Sequence, residues 1–175
     1  MSAKELDFTT ISDEVKQVIL PDHDVDNVLL TVGSVLRGDD AAGPYLAKLF
    51  EDDPIEDWTL VQGDLTPEDE IGYIRLLHPK QLIIVDAADM SLDPGEVRIV
   101  TKNNVAKQFF ITTHSMPITY LLSELEQTCE TLTFIGIQPA QTEFYGPLTP
   151  AVKDAVLKVY ELIKSNCIID KIERL

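Results

Sequence analysis

The seven residues QLIIVDA, Gln81 to Ala87, constrain the fold more than any other stretch of the chain. Leu82, Ile83, Ile84 and Val85 are consecutive and apolar, so an extended segment here is apolar on both faces, as a central parallel strand requires. Parallel strands need long crossovers, usually helical, so strands and helices should alternate around it. They do. VLLTVG (Val28 to Gly33), WTLVQG (Trp58 to Gly63) and TLTFIGI (Thr131 to Ile137) read as further strands. EVRIV (Glu96 to Val100) alternates after Asp93-Pro94-Gly95 and reads as an antiparallel strand with one exposed face. Helices are expected over about Ala41 to Phe50 and from Thr66 to about Leu77, with Thr66 as cap and Pro67 in the first turn. Another is expected over about Met116 to Glu126, with Ile118, Leu121, Leu122 and Leu125 on one face. The last starts at Thr149 and Pro150, with an apolar stripe of Val152, Ala155, Val156, Val159, Tyr160 and Ile163. The alternation predicts a three-layer α/β/α sandwich around a mostly parallel sheet of about five strands, one antiparallel. With 175 residues, one domain is expected over 28–175. Residues 1–27 read as an N-terminal extension, with a short helix around Ser12 to Leu20 and an acidic linker, PDHDVDN.

Thirty acidic residues stand against fourteen Lys and Arg, a formal charge of −16, which argues against nucleic acid or anionic lipid as a partner. No apolar run approaches the roughly 18 residues of a membrane span, and the first twenty residues lack a signal peptide's basic and apolar regions. Cys129 and Cys167 fit no metal or disulfide spacing. A cytoplasmic protein without membrane insertion is expected.

Open α/β sheets place their sites at the carboxyl ends of strands, where strand order reverses. The stretch GSVLRGDD, Gly33 to Asp40, lies there and has the outline of a P-loop, but Asp39 and Asp40 occupy the positions of the Lys and Ser. Like charge opposes a phosphate, so a nucleotide site is disfavoured and a cation favoured. Asp40 reads either as a helix cap or as a site carboxylate, with Gly38 and Asp39 supporting it. Asp86 ends the central strand and either ties down its own loop or shares the crevice with Asp40. His114, in TTHSMP, precedes a helix whose positive end disfavours imidazolium and leaves the neutral ring a ligand needs. Asp40, Asp86 and His114 make a mixed oxygen and nitrogen set for a divalent transition ion. No G-x-S-x-G elbow or H-E-x-x-H helix supports a competing hydrolase.

The ordered motifs LLTVGSVLRGDDAAGP, LIIVDAADM, PGEVRI, TTHSMPITYLL, FIGIQP and LTPAVKDAV resemble the nickel-iron hydrogenase maturation endopeptidases over about Val28 to Lys164. The likeness is greatest to the branch serving formate-hydrogenlyase-type and other cytoplasmic hydrogenases. The resemblance implies a phosphorylase/hydrolase-like α/β/α fold. It also implies removal of a C-terminal extension from the hydrogenase large-subunit precursor after nickel insertion. The nickel, supplied by the precursor, would be recognised through Asp40, Asp86 and His114, with Asp40 and Asp86 as catalytic carboxylates and no organic cofactor. On this reading Asp39→Asn should reduce cleavage less than Asp40→Asn. Similar proteins often carry Asp-Gly-Gly where this chain has Gln62-Gly63-Asp64, so that loop is given no role. The alternative is a non-catalytic accessory subunit that binds a hydrogenase large subunit.

Overall fold

The computed structural model describes residues 25–107 and 117–175; the expected helix around Ser12 to Leu20 lies outside them, as does His114. Among the described residues one sheet holds five strands: β1 (Asn27–Val32), β2 (Trp58–Asp64), β3 (Gln81–Ala87), β4 (Val97–Val100) and β5 (Thr131–Ile137). Their order is β2-β1-β3-β5-β4. All neighbours are parallel except β4 and β5, where Val97 faces Ile137 and Val100 faces Phe134. QLIIVDA is the middle strand over its whole length. The chain leaves β1 in one direction to reach β2, then returns past β1 to lay down β3, so the reversal of strand order falls between β1 and β3.

Alternate residues of the strands feed two cores. On one face Leu29, Ile83, Val85, Ile99, Ile135 and Ile137 pack under α1 (Ala42–Asp52), and under the helix Pro150–Lys164 with its Val152, Val156, Val159 and Ile163. On the other, Val28, Leu30, Leu82, Ile84 and Phe134 meet Ile74 and Leu77 of α2 (Ile71–Leu77), Val105 of α3 (Lys102–Lys107), and Leu121, Leu122 and Leu125 of α4 (Ile118–Leu125). The helix Pro150–Lys164 is α5, and a short α6 (Ile168–Lys171) follows it. Burying one Leu or Ile side chain contributes about 1.5–3 kcal/mol, so these two layers dominate the stability of the sandwich. The outer edge of β4 is covered by the C-terminal residues: Ile99 N–H donates to Glu173 O at 2.9 Å and Leu175 N–H to Ile99 O at 3.0 Å. Val25 is already buried in the core ahead of β1.

Two helix starts differ from expectation. Thr66 makes no side-chain cap; Pro67–Glu70 form a 3-10 turn before α2 begins. Thr149 precedes α5 as expected but makes no side-chain cap there, because its hydroxyl donates to Asp39 Oδ2 at 3.0 Å instead. A long-range contact has taken the oxygen that local propensity assigns to the helix.

Candidate functional site

The loop after β1 doubles back on itself. Gly33 has φ 134°, a backbone closed to other residues, and a Cβ there would sit 2.0 Å from Asp40 O. The close approach lets Ser34 N–H donate to Asp40 O at 3.1 Å, while Gly33 N–H donates to Asp64 O at 2.9 Å. The expected helix start at Ala41 is replaced by a 3-10 turn, Gly38–Ala41, and α1 begins at Ala42. The cap position of α1 is thus Ala41 and not Asp40. Gly38 opens the turn at φ 53°, with the Gln141 amide filling the space where its Cβ would stand.

Asp39 and Asp40 are both buried, at 0% and 6% exposed. The Asp39 carboxylate faces the loop after β5. It accepts hydrogen bonds from Ala140 N–H at 2.8 Å, Gln141 N–H at 3.2 Å, Thr149 N–H at 2.7 Å and the Thr149 hydroxyl. Its own N–H donates to Gln141 O at 3.0 Å. A buried carboxylate answered by four donors is a structural brace between the loops after β1 and β5.

Asp40 instead lines a cavity of about 280 Å³, with Ala87, Asp89 and residues 138–142. Asp86, 7% exposed, is the residue before Ala87 on β3, and the 3-10 turn packs against that strand. Asp86 thus lies at the carboxyl end of β3, and Asp40 in the turn that follows the adjacent parallel strand β1, on the side of the sheet where strand order reverses. Asp86 is level with Gly136 on β5, and the missing side chain there leaves room for Ala88 and Met90 to fold over the strand.

Sequence reasoning assigned no role to Gln138, which holds the third loop. Its Oε1 accepts from Met90 N–H at 2.7 Å and Leu92 N–H at 3.2 Å, and its Nε2 donates to Asp89 Oδ1 at 3.2 Å. The legible signal was an amide directly after an apolar strand and before a proline, in FIGIQP. Asp89 was also missed; it brings a second carboxylate to the cavity wall beside Asp40, exposed to solvent.

Among the described residues no three His, Cys, Asp or Glu side chains are arranged to hold a metal ion. Carboxylate oxygens are hard donors that suit a cation without gripping a free nickel ion tightly. Cys129 does not supply a nucleophile: it follows α4, donates to Leu125 O at 3.4 Å, and burial pushes its thiol pKa up, away from the reactive thiolate. No helix among the described residues is long and apolar enough to cross a membrane.

Comparison with known proteins agrees with this architecture. A family model described as hydrogenase maturation protease matches residues 44–166, a span that contains Asp86 and His114 and begins just after Asp40. The chain is 44% identical over 138 residues to the hydrogenase 3 maturation protease of Escherichia coli strain K12, covering 79% of this chain and 88% of the relative. A crystal structure of a hydrogenase 3 maturation protease superposes with a TM-score of 0.81 at 42% identity, covering 86% of this chain and 97% of the other. The solution structure of an endopeptidase from Escherichia coli gives a TM-score of 0.79 at 41% identity, covering 86% and 96%. With a family model that matches most of its length, a relative 44% identical over 138 residues and the sheet of its structural neighbours, the chain belongs to the hydrogenase maturation proteases.

Proposed function

We propose that the protein is an endopeptidase that removes the C-terminal extension of a nickel-iron hydrogenase large-subunit precursor once nickel has been inserted. Asp40, Asp86 and His114 recognise the nickel. The observation that carries this reading is a pair of buried carboxylates that follow neighbouring parallel strands: Asp86 at the end of β3, and Asp40 on the cavity wall, in the turn that packs against β3. Carboxylates without thiolates suit a protein that meets nickel in its substrate and does not retain it. The precursor therefore brings the metal, and no organic cofactor is needed. In the bound state the ion would polarise the scissile carbonyl or activate a water; the water oxygen adds to the carbonyl carbon, and Asp40 or Asp86 helps to move its proton to the leaving amine. The enzyme is proposed to act in the cytoplasm, as its resemblance to proteases of cytoplasmic hydrogenases implies.

The test is to incubate the protein with large-subunit precursor, nickel-loaded or nickel-free, and measure the precursor's mass. Loss of a C-terminal peptide from the nickel-loaded form alone supports the reading. Binding without any loss of mass would replace it with the accessory-subunit role.

A further inference from the structure

Among the described residues seven large apolar side chains are substantially exposed, and four of them, Val35, Leu36, Phe144 and Tyr145, belong to the two loops that frame the candidate site. These loops are fixed to one another. Tyr145 N–H donates to Leu36 O at 2.7 Å, and Asp39 binds the later loop through its carboxylate and its N–H. Gln141 ties Glu143 N–H and Pro147 O, at 2.8 and 2.6 Å. The rings of Phe144 and Tyr145 meet edge to face at 4.4 Å. Tyr145 is held at φ 61°, a backbone that an aromatic residue adopts only under constraint, and yet it is 77% exposed. The strain gains no burial for its own ring, as expected where a fold presents a side chain to something else. The patch belongs to the same loop as part of the cavity wall: Gln141 and Thr142 line the cavity, and Phe144 and Tyr145 follow them in the chain.

The surroundings are acidic. The loops 33–41 and 138–149 contain one cation, Arg37, against Asp39, Asp40 and Glu143, and Asp89 stands across the cavity, in a chain of charge −16. Such a margin favours an incoming segment that is apolar with a basic flank.

We propose that Val35, Leu36, Phe144 and Tyr145 form the docking surface for an extended segment of the precursor next to the bond that is cut, one that carries apolar side chains flanked by a basic residue. This rests on the maturation-protease reading. The surface supplies affinity that is equal in ground state and transition state, so its loss should raise KM more than it lowers kcat.

Two variants of the full chain, Phe144→Ser and Tyr145→Gly, test it. Glycine tolerates the left-handed backbone at position 145, so Tyr145→Gly removes the ring while relieving the strain. Each should keep the wild-type thermal midpoint or exceed it, and raise KM for nickel-loaded precursor about tenfold, the scale of one interface anchor. Binding of the same precursor to immobilised protein should weaken in parallel, more so at high salt. If the wild type cuts and both variants match it in KM and in binding, the docking surface is overturned while the protease stands. If the wild type binds without cutting, the protease reading falls and the binding measurement alone decides the surface. Absence of binding by the wild type overturns the surface as well.

Discussion

Asp39 and Asp40 are adjacent in sequence, equally acidic and almost equally buried, yet they belong to different parts of the molecule. Asp39 sits inside the brace between the loops after β1 and β5, with every oxygen engaged by Ala140, Gln141 and Thr149. Asp40 sits on the wall of the cavity that runs past the end of β3. The 3-10 turn that carries them separates the two roles: at about three residues per turn, consecutive side chains point about 120° apart. One carboxylate can thus be spent on rigidity while its neighbour faces a substrate. The lesson is that an acidic pair at a strand end is not evidence of two ligands; what each oxygen accepts decides the role.

Several measurements would break or sharpen that contrast. The largest expected effect is on Asp86, the buried carboxylate near the end of β3. Asp86→Asn should lower the rate of precursor cleavage at least about a hundredfold, the scale of a lost proton-transfer group, with little change in the unfolding midpoint. A parallel fall in both quantities would move Asp86 to the side of Asp39. Next comes the turn that orients both aspartates. Gly33→Ala puts a methyl 2.0 Å from Asp40 O and forces a φ of 134°, so denaturant unfolding should show a loss of at least about 2 kcal/mol. Wild-type stability in that variant would mean that the loop has another low-energy path and that its geometry does not fix Asp40.

The smallest effect belongs to an exposed counterpart of the Asp39 brace. Lys164 Nζ donates to Asp53 at 2.5 Å and Tyr160 Oη donates to Asp53 O at 2.5 Å, joining the end of α1 to α5. The Lys164 hydrogen bond first, then that of Tyr160, holds the Asp53 carboxyl below its usual pKa. A lowered folded pKa stabilises above the unfolded value of about 3.9 and is lost as pH falls through the folded one. Lys164→Gln should therefore lower the thermal midpoint slightly at pH 7, and the difference should shrink once pH falls below about 4 and vanish below the folded pKa of Asp53. Because the pair is exposed, salt should shrink it too, whereas salt should leave the buried Asp39 brace intact.

Most of the sheet was legible because period and composition are local. QLIIVDA and TLTFIGI became β3 and β5 over the full predicted lengths, and the stripe from Val152 to Ile163 became the buried face of α5. The strand-end rule then picked out Asp86 at the end of β3 and Asp40 in the loop after β1. What local reasoning could not supply was the use of a side chain by something distant in sequence. Thr149 looks like a helix cap and serves Asp39, 110 residues away. Gln138 looks like a loop residue and holds Met90 and Leu92. The division of labour between Asp39 and Asp40 depends on a 3-10 turn and on the loop after β5, neither of which leaves a period in the sequence.

The direct measurement is a paired one: thermal unfolding midpoint and cleavage rate of nickel-loaded precursor for Asp39→Asn and Asp40→Asn, assayed below all midpoints. Asp39→Asn should lose about 2 kcal/mol of stability, because an amide NH2 meets backbone N–H groups where an oxygen was, and should retain most of its cleavage. Asp40→Asn should keep the midpoint and lose cleavage at least about a hundredfold. The opposite pattern, a stable but inactive Asp39→Asn beside an unfolded or fully active Asp40→Asn, would contradict the assignment of brace and site.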